Sequence, residues 1–110
     1  MKYFSTNKQS PIADFMEATV KGQAPDRGLY FPEKIPQLSD SFIADLKNKP
    51  NSEIAFEVIK PYVGSTIPDE ELFSIVSETV NFDFPLVKVS DSVYTLELFH
   101  GPTLAFKDVG

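Results

Sequence analysis

The chain reads LELFHGPTLAFKD from Leu96 to Asp108. Apolar alternation over residues 93–99 predicts a strand that Gly101-Pro102 ends, and Thr103 can cap a helix beginning at Leu104. A strand, a tight turn and a newly begun helix form the opening of a βα unit, which needs a following parallel strand to pack against. The sequence holds no such strand. We therefore expect the 110 residues to be an N-terminal piece of a longer protein.

The preceding residues predict an α+β fold with about four helices, short extended segments and a C-terminal β-hairpin. The hairpin comprises residues 86–89, a turn at 90–92 and the strand from Val93. Apolar residues at helical spacing predict the four helices. The first covers about residues 11–21 with Ser10 as its cap, the second follows the cap Asp40 and stops before Pro50, the third runs from Asn51 or Ser52 to Pro61–Gly64, and the fourth begins at Pro68.

Composition and charge exclude several classes of function. The chain has no cysteine, so thiolate metal sites, disulfides and cysteine nucleophiles are ruled out, and its one histidine excludes a histidine-rich metal site. Residues 61–110 hold two Lys or Arg against eight Asp or Glu, which disfavours nucleic acid and anionic lipid as partners. The acidic run at 69–71 is interpreted as helix-start charge. No apolar stretch of membrane-spanning length occurs, and we expect a cytoplasmic protein with no membrane partner.

Lys107 is the candidate catalytic residue. It falls in the first turn of the predicted C-terminal helix, where the helix dipole disfavours a cation, so its neutral, nucleophilic amine form would be favoured. The alternative is a solvent-exposed lysine beside Asp108 whose stem packs on the surface. A phosphate-binding loop ending at Lys107 is disfavoured, since Phe106 replaces the required glycine and Asp108 the hydroxyl residue. His100 at a strand end is more often packed or hydrogen-bonded than a base.

Three stretches resemble the threonine synthase family of pyridoxal-phosphate enzymes. The most specific is LELFHGPTLAFKD at 96–108, and the others are GLYFP at 28–32 and the opening Tyr3 with Ser5-Thr6. The resemblance implies a larger fold type II enzyme, with residues 1–85 as a mainly helical domain and 86–110 as the start of a truncated cofactor-binding domain. It also implies that Lys107 holds pyridoxal 5'-phosphate covalently and moves protons, in a reaction of O-phospho-L-homoserine with water that gives L-threonine and phosphate.

Two alternatives to this interpretation stay open. One is a small acidic protein-interaction module that docks a partner through residues 29–31 and the C-terminal helix. The other is a different pyridoxal-phosphate lyase, such as a dehydratase, that shares the lysine turn. In the resembled family the loop that binds the cofactor phosphate and the residues that grip the substrate phosphate lie downstream of this stretch. We therefore expect the chain alone to be inactive.

Overall fold

A computed structural model describes residues 1–109 and divides the chain into two compact units, Met1–Val80 and a second that begins at Asn81. The α+β prediction is confirmed, because the described residues form four α-helices and two antiparallel two-stranded sheets. The order is β1 (Tyr3–Ser5), α1 (Phe15–Lys21), β2 (Tyr30–Pro32), α2 (Asp40–Asp45), α3 (Asn51–Val63), α4 (Asp69–Thr79), β3 (Leu86–Ser90) and β4 (Val93–Leu96). Two three-residue 3-10 turns complete the list, one at Leu46–Asn48 directly after α2 and one at Phe106–Asp108 after β4.

Helices α3 and α4 match their predicted positions. Gly64 ends α3 with a φ of 64°, and Pro61 lies inside the last turn of that helix. The acidic run 69–71 occupies the first turn of α4, where the exposed backbone N–H groups favour negative charge. None of the helices within residues 1–109 is long and apolar enough to cross a membrane.

The predicted start of α1 was wrong by several residues. Asp14, and not Ser10, caps the helix, and its carboxylate accepts a hydrogen bond from the Glu17 N–H at 2.8 Å. The reason is a backbone bridge in which Tyr3 and Ala13 exchange two N–H···O bonds of 2.9 Å, which holds the chain before Asp14 extended. Ser10 Oγ instead accepts a hydrogen bond from the backbone N–H of Asp26. A long-range pairing therefore overrides a local capping signal.

The cap of α2 was also misplaced by one residue. Ser39 is the cap, with its Oγ accepting from the Phe42 N–H at 3.2 Å, and Asp40 is the first helical residue. Both residue types favour this position, so the sequence alone did not separate them.

The core of the first unit is built where α3 packs on α4. Val63 is 1% exposed, and Leu72 and Val76 pack against it from α4. Phe15 of α1 contacts this cluster and also a second one formed by Tyr3, Ala13 and Ala18, so that one aromatic ring joins both. The Tyr3 hydroxyl donates to the Tyr62 carbonyl at 2.9 Å, which ties β1 to α3.

A hydrogen-bonded cluster around Asp26 fixes β1 to the loop before β2. The Asp26 carboxylate accepts from the Ser5 hydroxyl at 2.6 Å and from the N–H groups of Gln9 and Gly28 at 2.9 and 3.0 Å. Ser5 is fully buried, and a Cβ added to Gly28 would overlap its Oγ. These bonds, led by the one from Ser5, lower the pKa of Asp26 to about 2.

The second unit contains the predicted hairpin, with β3 one residue longer and β4 three residues shorter than expected. Leu86 pairs with Leu96 and Ser90 with Val93, and the register is irregular between Lys88 and Ser90. β4 ends at Leu96 and does not extend to Phe99 as predicted. Every residue of both strands is exposed, so apolar side chains lie on both faces of the hairpin. A two-stranded hairpin of this kind is marginally stable by itself.

Truncating Leu72 should destabilise the first unit far more than truncating its neighbour Ile75. Leu72 is 4% exposed and Ile75 is 47% exposed, so Leu72→Ala removes buried methyl groups and leaves a cavity. We expect a loss of about 2–5 kcal/mol in the free energy of unfolding for Leu72→Ala. Urea unfolding of the chain measures both variants, and an equal loss in Ile75→Ala would contradict the packing described.

Acid should weaken the first unit through Asp26. Because the folded-state pKa of about 2 lies below the unfolded value of about 3.9, the carboxylate stabilises the fold above pH 4. That contribution is lost as the pH falls from about 4 to about 2. Urea midpoints across this range should fall less steeply for Asp26→Asn than for the unchanged chain. Identical pH profiles would show that the carboxylate does not stabilise the fold.

Candidate functional site

The candidate site is the segment that follows β4. A last backbone bond runs from the Glu97 N–H to the Pro85 carbonyl at 3.0 Å, and the chain then leaves the hairpin. His100 Nε2 lies 2.7 Å from Glu97 Oε2, and the imidazole stacks on the Phe99 ring with centroids 4.7 Å apart. The structure thus gives His100 a hydrogen-bonded, stacked environment, which is the interpretation favoured from sequence.

The Asp108 carboxylate closes the segment 101–108 into a loop. Its Oδ2 accepts from the Thr103 N–H at 2.8 Å, and its Oδ1 accepts from the Thr103 hydroxyl at 2.6 Å. The Asp108 N–H donates to the Ala105 carbonyl at 3.1 Å, a bond that belongs to the 3-10 turn Phe106–Asp108. The Thr103 hydroxyl bond is the largest cause of a lowered Asp108 pKa, so this carboxylate is ionised at neutral pH.

Gly101 is the residue that lets the carboxylate approach. A Cβ at this position would lie 2.5 Å from Asp108 Cβ and 2.7 Å from its Oδ2, which is closer than carbon and oxygen atoms can pack. Gly101 is buried, and its carbonyl accepts from the Leu104 N–H at 3.0 Å. The loop therefore depends on the absence of a side chain at 101.

The α-helix predicted from Leu104 does not form within residues 104–109. Leu104 has a φ of 56°, Ala105 is extended, and only the 3-10 turn Phe106–Asp108 follows. The Thr103 hydroxyl, which was expected to cap a helix, donates to Asp108. The argument that a helix dipole disfavours a charged Lys107 therefore has no support in this structure.

Lys107 lies on the outside of the loop, and its side chain is 66% exposed. This is the solvent-exposed position beside Asp108 that the sequence left open as the alternative. Its Nζ lies 3.8 Å from Asp108 Oδ1, beyond hydrogen-bonding distance, and it makes no hydrogen bond within residues 1–109. Lys88, the other lysine of this unit, donates to Asp91 Oδ1 at 3.3 Å across the hairpin turn. Lys107 is thus an accessible amine on a braced loop.

No metal site accompanies this amine in the described part of the chain. Residues 1–109 contain no group of three or more His, Asp or Glu side chains placed to hold a metal ion. Sequence reasoning treated Asp108 only as a neighbour of Lys107 and missed its role in closing the loop. The detectable signal was a Thr and an Asp five residues apart, directly after the Gly101-Pro102 turn, since such short polar side chains often bond nearby backbone groups.

Comparison with known proteins gives a family match over most of the chain. Residues 2–80 match the family described as threonine synthase N terminus. A threonine synthase from Haemophilus influenzae is 42% identical over 110 residues, and one from Pseudomonas aeruginosa is 40% identical over 113 residues. These matches cover 100% and 98% of this chain but only 25% and 24% of the relatives. The chain therefore spans about a quarter of the length of the curated relatives it matches.

A solved structure also resembles the fold. The crystal structure of pyridoxal-phosphate-bound threonine synthase from Brucella melitensis superposes with a TM-score of 0.89 at 41% sequence identity. It covers 99% of this chain, which in turn covers 25% of that one. The likeness includes the segment that carries Lys107, since nearly the whole chain is aligned.

Replacing Gly101 should open the loop without unfolding the hairpin. In Gly101→Ala the new Cβ would force the Asp108 side chain away, so the Thr103 N–H would lose its acceptor. We expect the amide of Thr103 to exchange with solvent deuterium at least tenfold faster, while amides paired between β3 and β4 keep their rates. Unchanged exchange at Thr103 would contradict the loop geometry.

Proposed function

The chain belongs to the threonine synthase family, and on that premise we propose that the full-length protein containing it converts O-phospho-L-homoserine and water to L-threonine and phosphate. The reaction is a pyridoxal-phosphate-dependent carbon–oxygen lyase reaction in threonine biosynthesis. The observation that carries the proposal is the accessible, unbonded amine of Lys107 at the end of the segment LELFHGPTLAFKD, on a loop braced from within.

The cofactor we propose is pyridoxal 5'-phosphate, held by Lys107. The relative from Brucella melitensis is described with this cofactor bound. The residues present fit its reactive end, which requires an accessible amine. The Lys107 side chain is 66% exposed and its Nζ lies 3.8 Å from Asp108 Oδ1 without a hydrogen bond, whereas Lys88 donates a hydrogen bond to Asp91. When bound, the cofactor supplies an electron sink for carbanion chemistry next to the amino group.

Lys107 would have two roles in this reaction. Its Nζ would hold the cofactor covalently until the substrate amine takes its place. The Lys107 amine would then serve as acid and base for the protons at Cα, Cβ and Cγ of the substrate. Across the whole reaction the Cγ–O bond breaks and phosphate leaves, while water supplies the hydroxyl at Cβ. Exposure of Nζ in this chain is compatible with a substrate that must reach it from outside the loop.

The remainder of the active site would come from residues outside this chain. Two phosphate groups need positive charge or clustered N–H groups, but residues 61–110 hold two cations against eight anions. The hairpin exposes apolar residues on both faces, as expected for strands that a larger sheet and its helices cover. We therefore propose that residues 86–110 begin a cofactor-binding domain, that residues 1–85 form the helical domain before it, and that the chain alone is inactive. A cytoplasmic location belongs to the same proposal.

The alternative functions are less well supported. An independent interaction module would not be expected to match threonine synthases over nearly its whole length. A dehydratase sharing only the lysine turn would not be expected to match the family over residues 2–80, outside that turn. Substrate profiling of the full-length protein separates the two lyase reactions.

Borohydride reduction of the full-length protein loaded with pyridoxal 5'-phosphate should place the cofactor on Lys107. Lys107→Ala should abolish this adduct and lower kcat by at least about a thousandfold, because both the covalent attachment and the proton transfers are lost. Lys88→Ala is the matched control and should retain both. Peptide mass mapping identifies the modified lysine.

The 110-residue chain alone should give no stable adduct under the same conditions. An adduct on another lysine of the full-length protein, or none on Lys107, would contradict the proposed function. A stable Lys107 adduct in the isolated chain would contradict the part of the proposal that places the cofactor-phosphate site elsewhere.

A further inference from the structure

The Asp108 side chain is nearly buried in the loop 101–108, and the proposed reaction gives it no role. Its side chain is 8% exposed, although it directly follows the 66% exposed Lys107 and carries an ionised carboxylate. Buried carboxylates are costly unless they are hydrogen-bonded. The two bonds from Thr103 meet this need and occupy one lone-pair site on each oxygen.

The geometry separates this carboxylate from direct proton transfer with Lys107. Oδ1 is 2.6 Å from the Thr103 hydroxyl but 3.8 Å from Lys107 Nζ, so the threonine and not the lysine is its hydrogen-bond partner. The carboxylate instead bonds Thr103, directly before Leu104, which has a left-handed φ of 56° that a leucine rarely adopts. An unbraced loop would relax from that conformation.

We propose that Asp108 is the positioning residue for Lys107, acting through Thr103 and through the close approach that Gly101 permits. The carboxylate fixes residues 103 and 108 to each other, and Lys107 is joined to this brace by one peptide bond. The inference rests on the proposed function, since it assigns a role relative to the amine that holds the cofactor. It assigns Asp108 no contact with cofactor or substrate.

A pair of variants at Thr103 tests the brace while the charge at 108 stays unchanged. Thr103→Val keeps the shape but removes the hydroxyl donor to Asp108, whereas Thr103→Ser keeps that donor. In the full-length protein loaded with pyridoxal 5'-phosphate, we expect Thr103→Val to lower kcat about 10- to 100-fold with little change in KM, since misplacement by about 1 Å costs this much. Thr103→Ser should stay within about threefold of the unchanged enzyme.

A third variant, Asp108→Asn, removes the charge and one of the two acceptors. We expect kcat to fall at least as far as in Thr103→Val. The pH midpoint of the absorbance of the Lys107-bound cofactor should also fall, because a negative charge near the nitrogen is lost. Rates are expressed per bound cofactor, and the melting temperature is measured for each variant, so that a loss of folded protein is separated from a loss of positioning.

The outcomes distinguish this inference from the proposed function. If borohydride mapping of the unchanged enzyme finds no cofactor on Lys107, the proposed function fails first. If Lys107 carries the cofactor but Thr103→Val and Asp108→Asn both keep kcat, and Asp108→Asn keeps the pH midpoint, Asp108 does not position Lys107 and the inference is overturned. A lower melting temperature with unchanged rates per bound cofactor would also overturn it, since the brace would then serve stability alone.

Discussion

The bond pair between the Asp108 carboxylate and Thr103 is the constraint on which the candidate site depends. It closes the segment 101–108 across a left-handed Leu104 and leaves the neighbouring Lys107 amine unbonded within the described residues. A lysine on an unbraced loop would sample many directions, and ordering it when substrate binds would cost conformational entropy. Bracing the backbone instead restrains the Cα of Lys107 and leaves the end of its side chain accessible.

The same arrangement occurs in the first unit, around Asp26. There a carboxylate accepts from the Ser5 hydroxyl and from backbone N–H groups, and Gly28 stands where a side chain would collide with Ser5. In both units a glycine leaves room for the cluster. An ionised carboxylate there accepts hydrogen bonds from hydroxyl and backbone N–H groups that have no partner in a helix or sheet. The two clusters differ in what they hold, because Asp26 fixes a strand to a loop whereas Asp108 braces the backbone beside a free amine.

Much of the fold was predictable because its signals are local. Apolar periodicity and acidic first-turn residues located α3 and α4, and a turn between alternating strands located the hairpin. Two of the errors come from bonds that the local sequence pattern does not show. Tyr3 pairs with Ala13 and delays α1, and Asp108 takes the Thr103 hydroxyl that would have capped a helix. Lys107 was the candidate from sequence and resemblance, and a solvent-exposed lysine beside Asp108 was the alternative stated there. The bonds from Thr103 to Asp108 required coordinates.

The most direct test of this account is a crystal structure of the full-length protein grown with pyridoxal 5'-phosphate. The account predicts continuous electron density between Lys107 Nζ and the cofactor, with both Asp108 oxygens still within hydrogen-bonding distance of Thr103. Density joining the cofactor to another lysine, or an Asp108 carboxylate turned away from Thr103 toward Nζ, would contradict it.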